Sequence, residues 1–204
     1  HEDAEAEFAA IEADLQRRIA ALLADAVGRH GDDLLLANPA DVAIDGVVTL
    51  AIDRDLDGPT QRLSDGTTAF RAEVPALGTA AALGTTVDDR VVLSDSSMTN
   101  GHLAVRWDAL GNITSIIDLA HAREIVPTGR FAAALELAVD QPVEYDAWDL
   151  ESWTRESGTP VTAAGGGDGA AEVAIIDAGP LVGRVQVTHT FAPSRAVISY
   201  ELRA

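Results

Sequence analysis

The hydrophobic period of this chain changes once, near Gly28, and does not change back. That change confines the chain to a helix followed by sheet. Before it, Phe8, Ile11, Leu15, Ile19, Leu22 and Leu23 recur at three- and four-residue steps and share one face of a helix predicted over 3–27. Asp3 suits the helix start, Glu5 and Glu7 suit the positive end of its dipole, and Gly28 follows Val27 as a stop. Beyond Gly28 the pattern is strand-like at 34–36, 47–52, 70–74, 103–107, 113–117, 131–139, 172–177, 182–191 and 195–202. Asp108 to Asn112 carries the turn chemistry of a hairpin between 103–107 and 113–117. Many short strands separated by turn signals predict a mainly β protein, an antiparallel β-sandwich preceded by one long α-helix. The helix has an apolar stripe but no second long helix to bury it. A long helix is held mostly by packing of that stripe. The stripe must therefore meet the sandwich, a second copy in a homo-oligomer, or a helical domain outside this chain.

Composition removes several classes of function. The net charge of −19 repels phosphate backbones and anionic lipid, so neither nucleic acid nor membrane is an expected partner. Every basic residue is arginine, which excludes Schiff-base lysines and a P-loop lysine within these residues. The absence of cysteine excludes disulfides, thiolate nucleophiles and Cys-ligated zinc, and fits a reducing cytoplasm, the expected compartment. No apolar run approaches the roughly 20 residues that cross a bilayer, and nothing near the N-terminus has the form of a signal peptide. The chain opens on His1 and closes inside a strand-like alternation at Leu202-Arg203-Ala204, so a piece of a longer polypeptide is expected.

The obvious motifs are weak. His1, His30, His102, His121 and His189 lack partners at metal-ligand spacing, and isolated packing or surface histidines are the favoured reading. Asp53-Arg54-Asp55-Leu56-Asp57-Gly58 begins like a calcium loop, but Ser64 stands where the bidentate glutamate is needed, which favours an acidic hairpin loop. Asn112-Ile113-Thr114 matches the glycosylation sequon but falls in the predicted tight turn. Gly165 to Gly169 lacks a following Lys-Ser/Thr and reads as a loop.

The segment from Asp140 to Trp153 is different. Two of the three tryptophans lie here, among five acids. Sugars stack their apolar faces on aromatic rings while carboxylates take their hydroxyls, so Asp146, Trp148, Asp149, Glu151 and Trp153 are candidate substrate-binding residues. Paired carboxylates could equally be a glycosidase acid and nucleophile. A solvated acidic loop anchored by buried tryptophans is the plainer reading and is favoured on composition alone.

Asp146-Ala147-Trp148-Asp149 resembles the DAWD signature in the C-terminal region of glycoside hydrolase family 38 α-mannosidases. Gly111-Asn112-Ile113-Thr114-Ser115-Ile116-Ile117-Asp118, followed by Arg123-Glu124-Ile125-Val126-Pro127, resembles a hairpin of the same family. Ala37-Asn38-Pro39, Gln61 to Gly66, Ala72 to Gly78 and Gly179-Pro180-Leu181 resemble flanking pieces, in order, from about residue 33 to the end. The resemblance implies that residues 1–30 are the last helix of a helical middle domain. It implies that residues 31–204 are the N-terminal part of a galactose-mutarotase-like β-supersandwich. Family members are retaining exo-α-mannosidases whose aspartate nucleophile and zinc lie in a preceding barrel and the start of the helical domain. No catalytic residue or metal ligand therefore carries over to this chain. The partners it implies are an α-mannoside or oligosaccharide, the catalytic barrel and the helical domain, with zinc held in that barrel. Where relatives often have tyrosines after the motif, this chain has Trp153 and Thr154.

Two other readings stand beside the non-catalytic fragment of an α-mannosidase. One is a free-standing carbohydrate-binding sandwich. The other is an aldose-epimerase-like enzyme, which needs a histidine and a carboxylate converging as acid and base. Only His189 and Glu201 lie in promising strands for that role.

Overall fold

A computed structural model describes residues 2–27, 34–52, 55–141, 143, 152–161, 171–191 and 194–204. Helix α1 runs Glu2–Val27, so Asp3 lies within its first turn rather than ahead of it. Then follow strands β1 Leu35–Asn38, β2 Ile44–Leu50, β3 Gln61–Arg62, β4 Thr68–Val74, β5 Gly78–Ala81, β6 Val92–Ser94, β7 Ser97–Thr99 and β8 Leu103–Trp107. The chain continues through β9 Ile113–Asp118, β10 Arg123–Glu124, β11 Glu136–Leu137, the one-turn helix α2 Ser152–Glu156, β12 Thr159–Pro160, β13 Glu172–Ala178, β14 Val182–Phe191 and β15 Ser194–Arg203. The protein is mainly β, with several antiparallel sheets and one long N-terminal helix, as the alternation predicts.

The chain divides into two compact units. The first comprises His1–Val48, Asp53–Thr60 and Phe70–Thr86. Within it, β1 and β5 pair antiparallel from Leu35↔Ala81 to Asn38↔Gly78. Asn38 is buried and joins two motif segments that sequence alone leaves apart. Its Nδ2 donates to the carbonyls of Val42 (2.7 Å) and Pro75 (3.1 Å), and its Oδ1 accepts the Ala40 amide (3.0 Å). On α1 the whole apolar stripe is open: Phe8, Ile11, Leu15, Ile19, Leu22 and Leu23 are 42–69% accessible.

The second unit comprises Thr49–Ile52, Gln61–Ala69 and Val87–Ala204. It contains a five-stranded sheet in the order β10-β9-β8-β7-β6 and a three-stranded sheet in the order β13-β14-β15. Met98, Val105, Trp107 and Ile113 of the first share one buried cluster with Val185, Val187, Tyr200 and Leu202 of the second, which is the core of a sandwich. Strict alternation builds that face. Val185, Val187 and His189 are buried, whereas Arg184, Gln186 and Thr188 between them are not. In the β14–β15 register Val185 faces Tyr200 and Val187 faces Ile198, while Phe191 faces Ser194 at the hairpin end.

The Asp108–Asn112 turn forms as predicted between β8 and β9. Asp108 Oδ1 accepts the Leu110 (2.9 Å) and Asn112 (3.0 Å) amides, and Oδ2 accepts Asn112 Nδ2 (3.1 Å). The sequon asparagine is thus buried and hydrogen-bonded inside the turn. Gly111 has φ +76°, and a Cβ there would stand 2.4 Å from Val187 Cγ1, so both conformation and space require glycine. The buried Tyr200 hydroxyl donates to the Gly111 carbonyl at 2.8 Å and ties β15 to the turn.

The stretch 131–139 is not the continuous strand expected. Only Ala132 bridges to Ile113, and β11 covers two residues. Ala133 has φ +57°, which cannot continue an extended strand.

Candidate functional site

Asp146, Trp148, Asp149 and Glu151 lie outside the described residues. The base from which their segment springs is described. β11 and β12 pair Glu136↔Pro160 and Leu137↔Thr159, which brings the two arms of the segment together. The Thr159 hydroxyl donates to the Leu137 carbonyl (3.2 Å), and the Val161 amide donates to the Leu135 carbonyl (3.0 Å). On the second arm, α2 presents Trp153 to solvent at 45% exposure and buries its neighbour Thr154. The Thr154 hydroxyl reaches across to Asp140 Oδ1 at 3.4 Å. Ser157 closes α2, its amide donating to the Trp153 carbonyl (2.9 Å) and its hydroxyl to the Thr154 carbonyl (3.0 Å). Leu137, Val139 and Val143 of the first arm are also exposed. Among the described residues the rim thus offers the aromatic face of Trp153 and exposed aliphatic side chains beside the Asp140 carboxylate.

Elsewhere several carboxylates are committed to structure. Glu124 accepts the Ser115 hydroxyl (2.6 Å) and the amides of Ile116 and Val126 (2.9 Å each), and these bonds, Ser115 foremost, hold its pKa at about 2. The Ser…Arg-Glu pattern of the sequence is therefore a hairpin clamp. Asp65 is held at about 2, chiefly by the Thr67 hydroxyl and amide, with Arg184 adding to the effect. Asp118 is lowered, first by the hydrogen bond from the His121 ring. Burial raises Glu201, but Arg184 and Arg203 outweigh it and leave the group lowered.

The densest polar cluster was invisible to spacing rules. The Arg184 guanidinium meets Glu201 (2.8 Å), Asp177 (3.1 Å) and Asp65 (3.2 Å). The buried Asp177 carboxylate also accepts the Ser64 amide (2.8 Å) and hydroxyl (3.1 Å). Beside it, Gln61 Oε1 accepts the amides of Leu181 (2.8 Å) and Val182 (2.9 Å), while its Nε2 donates to the Val182 carbonyl (2.9 Å). The segments of Gln61 to Gly66 and Gly179-Pro180-Leu181 are thus two halves of one suture. Ser64, which stands where a calcium loop would need its glutamate, donates its hydroxyl to Asp177.

Residues 98–204, more than half of the chain, match the family described as Glycosyl hydrolases family 38 C-terminal domain. The chain belongs to that family. This family 38 C-terminal domain is also 35% identical over 75 residues to alpha-mannosidase 2C1 of Mus musculus and 33% identical over the same length to alpha-mannosidase 2C1 of Homo sapiens. Each match covers 36% of this chain and 7% of the relative, so the aligned stretch is a small part of the relatives' length. The Asp108 turn, the Glu124 clamp, the rim and the sheet β13-β14-β15 all fall within the matched residues; Asn38 and Gln61 to Asp65 precede them.

The epimerase-like pair does not converge. His189 is buried on the inner face of β14, where it pairs with Ala196 of β15, whereas Glu201 is on the outer face of β15 opposite Arg184. Five register positions and the thickness of the sheet separate them. Among the described residues no group of three or more His, Cys, Asp or Glu side chains could hold a metal ion. The donor set of a zinc site is therefore not matched by these residues.

Proposed function

We propose that this domain is a non-catalytic part of a retaining exo-α-mannosidase that hydrolyses terminal α-D-mannosides. Its sandwich carries the Trp153 rim and helps shape the sugar pocket, while the nucleophile and the zinc belong to the barrel of the parent polypeptide. Family membership and the alpha-mannosidase relatives support the reading. The observation that carries it is the match of residues 98–204 to the C-terminal domain of the family. A glycosidase needs one carboxyl group whose pKa is raised so that it can donate a proton. Among the described carboxylates every resolved shift is downward, at Asp65, Asp118, Glu124 and Glu201, and each is caused by hydrogen bonds or ion pairs that hold the structure together. Such groups accept hydrogen bonds and do not deliver protons near neutrality.

The half-exposed indole of Trp153 favours a second reading, a sandwich that binds carbohydrate on its own. One experiment separates the two. The purified chain is assayed on an aryl α-mannoside, alone and after the barrel is supplied, and titrated in parallel with methyl α-D-mannoside. No turnover alone and restored turnover with the barrel support the first reading. Millimolar or tighter binding by the isolated chain, lost in Trp153→Ala, supports the second. Turnover by the isolated chain would overturn both.

A further inference from the structure

We infer that Thr154 is a positioning residue that sets the Trp153 ring for a sugar face, with Asp140 as its anchor. The inference rests on the reading of the rim as a carbohydrate surface. Consecutive residues of a helix point about 100° apart, so burying Thr154 directs Trp153 outward. Thr154 is 4% exposed while Trp153 is 45% exposed. A helix of a single turn has no stability of its own, so tertiary contacts must fix its rotation. Among the described residues the contacts in place are few. The Thr154 hydroxyl reaches Asp140 on the opposite arm, and Ser157 closes the turn on the Trp153 and Thr154 carbonyls. The β11–β12 pair and the Thr159 hydroxyl hold the arms together beneath them. The Thr154–Asp140 contact, 3.4 Å, is at the long end of the hydrogen-bond range. It is nonetheless the described side-chain contact that joins α2 to the opposite arm. Asp140 thereby acts through Thr154 and Trp153, and need not touch the sugar itself.

The test compares variants on both sides of that contact. Thr154→Val removes the hydroxyl at constant shape, and Asp140→Ala removes the exposed acceptor with little risk to folding. Thr154→Ser and Asp140→Asn keep the contact. Each is titrated with methyl α-D-mannoside after the barrel is supplied. Each is also examined by iodide quenching in a Trp148→Phe background, where the buried Trp107 is shielded and Trp153 reports. Thr154→Val and Asp140→Ala are expected to weaken binding about three- to tenfold, the worth of one hydrogen bond, and to change the quenching of Trp153. The Ser and Asn variants should bind and quench as the parent does. Unchanged mannoside affinity in Thr154→Val and Asp140→Ala, while Trp153→Ala abolishes binding, would overturn the positioning role and spare the rim. Mannoside binding by the reconstituted protein that is indifferent to Trp153→Ala would overturn the rim reading and this inference with it.

Discussion

The suture around Arg184 and the rim around Trp153 lie in the same compact unit and use polar groups in opposite ways. At the suture, Gln61, Ser64 and Asp65 meet the backbone and side chains of 177–184 through many short contacts, and the central carboxylate of Asp177 is buried. At the rim, a two-residue ladder and a single-turn helix carry an indole that stays half in solvent. A buried polar group costs free energy unless it is paired, so density of pairing marks where a fold is held. An exposed aromatic held by few contacts contributes little to folding and is available to a ligand. In this chain, then, the family-like motifs at Gln61 to Gly66, Gly179 to Leu181 and Ser115 to Glu124 maintain the scaffold.

Substitutions can break that contrast. The largest effect is expected at Gly111→Ala. The added Cβ meets Val187 while the backbone is held at positive φ, so a loss of about 2–4 kcal/mol is expected in urea unfolding. Next comes Gln61→Ala, which removes the side-chain acceptor of two amides of the β13–β14 turn, for about 2–3 kcal/mol. Tyr200→Phe removes the hydroxyl bond to Gly111 and is expected to lose about 1–2 kcal/mol. Trp153→Ala closes the series, with a change in stability within about 0.5 kcal/mol. Equal destabilisation by Gln61→Ala and Trp153→Ala would erase the distinction between suture and rim.

Acid sharpens it further. Glu124 has its pKa lowered from 4.5 to about 2 in the folded state. A carboxylate lowered on folding contributes stability that is fully present above its unfolded pKa and lost as pH falls through the folded value. The Glu124 clamp should therefore hold above pH 4.5 and fade between about 4.5 and 2. Glu124→Gln, compared with the parent by thermal unfolding, is expected to flatten the decline of stability over that window. An identical pH profile for the two proteins would show that the clamp does not sense protonation.

Much of the scaffold was legible because its signals are local. The stripe of α1, the alternation along β14 and β15 and the Asp108–Asn112 turn each lie within a few residues of their own cause. The rim was legible only in part. Composition singles out Trp153, but nothing in composition singles out Thr154, whose importance comes from its burial and its reach to Asp140. The stretch 131–139 departs from the strand expected of it for a similar reason. Its apolar residues suit a strand, yet Ala133 adopts a left-handed conformation that propensity does not foresee.

By itself, then, the sequence determined the helix, the alternating strands, the tight turn and the exclusion of lysine and cysteine chemistry. These follow from side-chain period and residue identity, which act over one turn of helix or two residues of strand. Only the tertiary structure decided that Gln61 grips Val182 and that Ser64 meets Asp177. It also decided that His189 and Glu201 stand on opposite faces of their sheet. Those partners are brought together by strand pairing and sheet packing across more than a hundred residues in the first two cases, and by the pleat in the third. No local pattern encodes the first two, and a pleat separates faces only once the strand register is set.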